Sequence, residues 1–175
     1  LVRHGETNWN KEGRFQGQFN IPLNINGRDQ AKKASKYLKE ISFNKAFSSS
    51  MDRPYETAEI ILQSNSDLKI TKVEELVEIS HGLWEGKLEN EIKKQWPELL
   101  KNWHEKPEEV IMPEGESIKE VSDRSVKAWE EICLNQKNND LTLLVAHDAV
   151  NKTLICNILG IDFSNIWMIK QGNGG

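Results

Sequence analysis

The run Leu141-Thr142-Leu143-Leu144-Val145-Ala146 constrains this chain most. It is short, nearly all apolar, and reads as a strand buried on both faces. Such a strand needs a layer of structure on each side of its sheet, and the rest of the chain supplies candidates. Asn26-Gly27 precedes a helical pattern with Ala31, Ala34, Tyr37, Leu38 and Ile41 on one face. Lys45-Ala46-Phe47-Ser48 reads as a strand, and Ser50 as the cap of a helix from Asp52 to Gln63. Leu68 to Val73 alternates as a strand does, and Leu88 to Trp103 reads as helix broken at Pro97. Ser117-Ile118-Lys119-Glu120 is a capping box opening a helix to about Leu134. Asn151 to Leu159 reads as a helix closed by Gly160. Strands alternate with helices, so the expected fold is α/β, a three-layer α/β/α sandwich with a mostly parallel central sheet. No repeat, low-complexity stretch or linker interrupts the 175 residues, which argues for one domain over 1–175.

Charge and composition narrow the function. Lys and Arg number 23 against 27 Asp and Glu, a net charge of -4, which is not the footprint of a general nucleic-acid binder. An anionic ligand must then be held by a local cationic pocket. No apolar run approaches the ~20 residues of a membrane span, and no signal peptide is visible. The two cysteines, Cys133 and Cys156, each sit in an apolar, helix-like stretch and read as buried reduced thiols. A reducing, cytoplasmic setting is the expectation. The chain opens at Leu1 inside a strand-like run and closes on Gly172-Asn173-Gly174-Gly175, which reads as the approach to another element. A segment of a longer protein is expected, truncated at both ends.

Ligands of open parallel sheets bind beyond the carboxyl ends of the strands, and polar clusters follow three of the predicted strands. Arg3-His4-Gly5-Glu6-Thr7 follows the first, Ser48-Ser49-Ser50 with Arg53 the second, and His147-Asp148 the buried strand. Two arginines and two histidines would meet at one end of the sheet. Arginine offers a planar fork of donors matching phosphate oxygens, and two of them offset a dianion. An imidazole between them serves as a nucleophile when its attacking nitrogen is deprotonated, a form accessible near neutral pH. Gly5 lets the backbone pass close and has an amide to offer. The carboxylate-rich stretch from Glu74 to Gly86 offers a general acid whose pKa burial would raise.

Six ordered segments carry a resemblance. Arg3-His4-Gly5-Glu6-Thr7 with Trp9-Asn10 resembles the signature of the histidine phosphatase superfamily, in its phosphoglycerate mutase-like branch. Gln16-Gly17-Gln18 through Leu23, with Gly27 and Gln30-Ala31, is similar to the loop and first helix that follow. Ser48-Ser49-Ser50-Met51 and Arg53, Glu78-Ile79 with Gly82, Trp84, Glu85 and Gly86, Pro113 with Gly115-Glu116-Ser117, and Val145-Ala146-His147 continue the match. The resemblance implies a phosphoglycerate mutase-like sandwich and a phosphatase acting on a small phosphorylated metabolite without metal or other cofactor. Oligomeric state is not legible, a homodimer being one option.

Residue by residue, the resemblance implies that His4 is the nucleophile and becomes phosphohistidine. Arg3 and Arg53 clamp the phosphate, His147 is a further donor, and Asn10 touches the same phosphate. Glu78 protonates the leaving group and then activates water, and is preferred over Glu85 because it occupies the family's acid position. Three positions depart from the pattern. Asp148 replaces the usual Gly, where it would repel an anion or cap the helix at Asn151; Pro54 replaces Ala; and Glu56 replaces Gln. A mutase, a binding module and a metallohydrolase using His4, His147 and Glu78 are the competing readings. The span from Glu78 to His147 is short for the insertion that encloses a mutase's substrate. His81 and His104 read as ordinary surface or loop residues, although His81 is near enough to the acid loop to touch substrate. Trp96, Trp103 and Trp129 read as core or helix-contact residues, and Trp9 and Trp84 as candidates for the pocket wall.

Overall fold

The computed structural model describes residues 1–64 and 67–175. Strand β4, Thr142–Ala146, lies between β1, Val2–Arg3, and β2, Lys45–Ser49. Strand β3, Ile70–Val73, completes the order β1-β4-β2-β3, and every pairing is parallel. The apolar run behaves as its composition requires: its residues from Leu143 to Ala146 are buried. Side chains alternate across a strand, so Leu143 and Val145 join one cluster with Ala46, Ala58 and Ile61. Leu144 and Ala146 join the other, with Val121, Val150 and Leu154.

The two clusters are the two helical layers. Helices α2, Ile25–Leu38, and α3, Asp52–Ile61, cover one face, where Ala34 and Leu38 pack against the first cluster. Helices α6, Ile118–Leu134, and α7, Asp148–Leu159, cover the other. Short helices α1, Asn8–Glu12, α4, Glu89–Gln95, and α5, Pro97–Glu105, lie in the connections. Pro97 does not kink a long helix; it occupies the first turn of α5, where its missing N–H costs nothing. The three-layer α/β/α sandwich is therefore the observed fold.

Several local expectations need correcting. Helix α2 starts at Ile25 because Asn24 caps it, its side chain accepting the Gly27 amide at 2.8 Å. Ser50 caps nothing; its hydroxyl donates to Glu74 Oε2 at 2.7 Å, and Met51 is the cap of α3. Helix α7 begins at Asp148 rather than Asn151, with His147 at its cap. Cys133 is exposed on the outer face of α6, and only Cys156 is buried. The Ser117–Glu120 capping box forms as read, with the Ser117 amide donating to Glu120 Oε2 at 2.8 Å. No helix among the described residues is long and apolar enough to cross a membrane.

One close approach holds the end of β1. A side chain on Gly5 would overlap the Gly27 carbonyl, and one on Gly27 would overlap the Glu6 backbone. The loop after β1 therefore runs directly against the first turn of α2, and both glycines are needed for that contact.

Candidate active site

Parallel strands put their carboxyl ends side by side, and the loops leaving them build one cleft of about 310 Å³. Strand β1 delivers Arg3 and His4; the His4 amide donates to Ala146 O at 3.0 Å, tying the loop to β4. The loop after β4 delivers His147, and the second residue of α3 is Arg53. Glu78 follows a single turn after β3. His4, Arg53, Glu78 and His147 are all at least nine-tenths buried; His4 and Glu78 line the cleft, whereas Arg53 and His147 do not and reach it through their contacts with His4.

The bonds of His4 decide its tautomer. Nδ1 lies 2.7 Å from Gly5 O, which can only accept, so Nδ1 carries the proton. Nε2 receives the Arg53 Nε–H at 3.2 Å, so it presents a lone pair. Burial, together with the Arg53 and Arg3 charges, holds the ring well below its ordinary pKa of 6.5, so it is neutral at pH 7. Arg53 is itself fixed at three points, since Nη1 and Nη2 donate to Phe19 O and Gly17 O at 2.8 Å each. Burial lowers it to about 10, so it stays a cation at neutral pH.

His147 faces His4 edge-on, with ring centres 5.2 Å apart. Its Nε2 lies 2.9 Å from Ser49 Oγ, and its Nδ1 is buried with no partner among the described residues. Burial and the same arginine keep it neutral, well below 6.5. Arg3 Nη1 donates to Gln171 O at 2.9 Å, whereas its Nε is another buried atom without a partner among the described residues. Glu78 Oε1 accepts the Ile79 amide at 3.0 Å and Oε2 the Asp148 amide at 3.2 Å. Burial first, then the Asp148 carboxylate, push the Glu78 pKa up.

The other singled-out residues fall into place around these. Asn10 borders the cleft, with Oδ1 accepting the Thr7 amide at 3.1 Å in the capping box of α1. The Gly5 amide is turned away, donating to Thr57 Oγ1 at 3.1 Å. Asp148 borders the cleft 3.0 Å from Arg3 Nη1, an ion pair rather than an aligned hydrogen bond. Glu85 Oε1 is occupied by the amides of Gln18 and His81 at 3.0 and 3.1 Å, so this carboxylate braces two loops. Glu56 pairs with Arg28 at 2.6 Å, away from the cleft. No group of three or more His, Cys, Asp or Glu among the described residues is placed to hold a metal ion.

The far wall differs from expectation. Trp84 is fully buried in the core and does not line the cleft; Trp103 and Trp167 do, with Phe15 and His81. These rings meet edge to face, His81 5.0 Å from Phe15 and 5.7 Å from Trp103, and Trp103 4.8 Å from Trp167. His81 is thus a wall residue, neutral at pH 7 because burial lowers it to about 4, and its Nδ1 has no partner among the described residues. His104 is exposed beside Glu89 at 3.4 Å. Ser49, Phe15, Trp167 and Gln171 were not assigned roles from the sequence. Ser49 lay within a recognised segment and offered a signal; Trp167, in a short turn from Phe163–Met168, offered none.

Known proteins resemble this chain over nearly its whole length. The phosphoserine phosphatase 1 of Hydrogenobacter thermophilus is 34% identical over 99% of this chain and 81% of its own length. The probable phosphoglycerate mutase GpmB of Escherichia coli is 36% identical over 92% of this chain and 74% of its own. The structure of Bacillus stearothermophilus YhfR superposes with a TM-score of 0.92 at 32% identity, covering 99% of this chain and 85% of that one. A histidine-to-alanine variant of the Entamoeba histolytica phosphoserine phosphatase, in complex with phosphoserine, gives 0.85 at 30% identity, over 100% and 86%. The sequence profile of the histidine phosphatase superfamily, branch 1, matches residues 1–175, and the chain belongs to that family.

Proposed function

We propose that this protein is a metal-independent phosphatase that hydrolyses a small phosphate monoester through a phosphohistidine on His4. The observation that carries the proposal is the forced tautomer: Gly5 O accepts from the Nδ1–H, and Nε2 keeps its lone pair beside Arg53. In this reading residues 1–175 work as one domain, because a single sheet delivers every group.

The phosphate dianion sits between Arg3 and Arg53, displacing the Arg53 Nε–H from His4 Nε2 onto a phosphoryl oxygen. The unpartnered Arg3 Nε and His147 Nδ1 are buried donors suited to the other oxygens. In this reading Ser49 Oγ–H donates the 2.9 Å hydrogen bond to His147 Nε2, and Nδ1 carries the ring proton. His4 Nε2 attacks phosphorus, the ester P–O bond breaks, and the leaving oxygen takes the proton of Glu78. Water then attacks the phosphohistidine while the Glu78 carboxylate takes its proton, the P–N bond breaks, and inorganic phosphate leaves. Charge neutralisation and positioning supply most of the rate in such chemistry.

The substrate is a small phosphorylated metabolite in this reading, supported by a relative named for phosphoserine and a neighbour bound to it. The GpmB similarity favours one second reading, transfer of phosphate within phosphoglycerate. Phosphate release in excess EDTA from phosphoserine, 3-phosphoglycerate and p-nitrophenyl phosphate separates the two. Wild type is expected to release phosphate and to yield an acid-labile, base-stable phosphoprotein on rapid quench, and His4→Ala to do neither. Isomerisation of 3-phosphoglycerate without net release would sink the phosphatase in favour of the mutase.

A further inference from the structure

Asp148 borders the cleft and carries a counterion of its own. Its Oδ2 accepts from Lys152 Nζ at 2.7 Å, one helical turn along α7. Its Oδ1 lies 3.0 Å from Arg3 Nη1, and its backbone N–H donates to Glu78 Oε2 at 3.2 Å. Lys152 is only 8% exposed, and Nζ also lies 4.9 Å from the centre of the Trp167 ring. A lysine this buried requires a partner, and Asp148 is that partner. The pair adds no net charge to the site, so attraction for a phosphate is kept. Its effect is local: the carboxylate is placed beside Glu78, and the cation a turn away.

Resting on the phosphatase reading above, we propose that Asp148 is a positioning residue for Glu78. Its N–H aims the Glu78 carboxyl, and its carboxylate keeps that carboxyl protonated for delivery to the leaving oxygen.

The charges facing Glu78 show why such a residue is needed. Arg3 from β1 and Arg53 from α3 both favour ionised Glu78, yet the phosphate needs both. Arg124 from α6 donates to the Glu78 backbone carbonyl at 3.1 Å, but is paired with Glu116 at 2.8 Å. His4, His147 and His81 are neutral at pH 7. Lys152 is engaged by Asp148. Burial and the Asp148 carboxylate therefore stand against the arginines and against the backbone N–H groups of Ile79 and Asp148, whose hydrogen bonds favour the ionised form, and the outcome is a raised Glu78 pKa. A general acid placed among phosphate-binding cations otherwise loses its proton before it is required.

The test compares the intact wild type with Asp148→Asn and Lys152→Met. Asp148→Asn keeps the backbone N–H and the side-chain shape and removes the charge. kcat/KM is followed against pH on phosphoserine or 3-phosphoglycerate, whose leaving groups need a proton, and on p-nitrophenyl phosphate, whose leaving group needs little. In parallel, 13C-carboxyl NMR of glutamate-labelled protein, with Glu78→Gln to assign the signal, follows Glu78 directly. The alkaline limb on the alkyl ester and the Glu78 titration should both fall by about one pH unit in Asp148→Asn. Both should rise in Lys152→Met, and the limb on p-nitrophenyl phosphate should not follow. A folded Asp148→Asn protein with an unmoved Glu78 titration overturns the proposal, as does a limb that moves equally on both ester types. If Asp148→Asn does not fold, Lys152→Met decides by the sign of its shift. If the wild type hydrolyses no ester, the phosphatase reading has failed, and the NMR titration alone decides the coupling of Asp148 to Glu78.

Discussion

Arg53 donates its Nε–H to His4 Nε2 across 3.2 Å, so the cation suited to a phosphate also covers the lone pair of the proposed nucleophile. The other two nitrogens of Arg53 are held by Phe19 O and Gly17 O. The three donors of a lysine ammonium leave one side-chain nitrogen and cannot span acceptors that Arg53 reaches with three separate nitrogens. Arg53→Lys should therefore lower kcat/KM by about 10²–10³-fold on any ester the wild type accepts. It should also lower stability, because two carbonyls lose their donors. Steady-state phosphate release and urea unfolding measure the two effects; a loss below tenfold in rate would mean that charge alone suffices.

Glu78 offers a test by leaving group. In its proposed role of proton donor, it matters when the departing oxygen is basic and little when it is not. Glu78→Gln keeps the shape and the bond from the Asp148 amide. Turnover of an alkyl phosphate that the wild type accepts should fall by roughly 10²–10⁴-fold, and that of p-nitrophenyl phosphate far less. Equal losses would move the role elsewhere in the loop.

Three histidines give stability a pH dependence. His4 and His147 are held well below 6.5, and His81 is lowered to about 4. Below pH 6.5 the unfolded chain binds protons at these positions that the folded protein refuses. Stability is therefore full above about pH 6.5 and falls as pH drops toward the folded values. Glu78, raised from 4.5, acts oppositely over the window just above 4.5, but is one group against three. Unfolding free energy should decline from pH 7.5 to 5.5. His81→Phe, which keeps a ring in the aromatic wall, should flatten that slope; an unchanged slope would show that His81 takes a proton in the folded state.

Gly27 sets helix propensity against packing. Ala for Gly inside a helix usually gains about 1 kcal/mol. Here a Cβ would overlap the Glu6 backbone, one residue beyond the Gly5 contact. Overpacking costs about 1–3 kcal/mol, so Gly27→Ala should be destabilised on balance. It should also lose activity, since the loop it displaces carries His4. A stabilised, fully active variant would show that the loop yields freely.

Much of this protein was legible along the chain, for identifiable reasons. The run ending at Ala146 had to be a central strand, since a short apolar segment needs cover on both faces, and β4 is buried between two helical layers. Arg3, His4, Arg53 and His147 come together as read because residues that follow parallel strands share one end of the sheet, whereas Glu78 stood out from the other carboxylates of its loop only through the resemblance. Where only local chemistry guided the reading, neighbours distant in sequence overrode it. Ser50 looked like a cap until β3 brought Glu74 alongside, and Cys133 sits on the outer face of a helix whose buried stripe includes Ile132.

Residue types, their order and the periodicity of apolar positions thus determined the layers, the sheet and the identity of the cleft. Tertiary structure decided the states of the groups inside it. The His4 Nε2 lone pair is engaged by Arg53, 49 positions away, and Glu78 is held by the Asp148 amide, 70 positions away. The aromatic wall joins Phe15, His81, Trp103 and Trp167 from four separate segments. Proton affinity and hydrogen-bond direction are set by what lies within a few ångströms in space, and only the folded chain defines that neighbourhood.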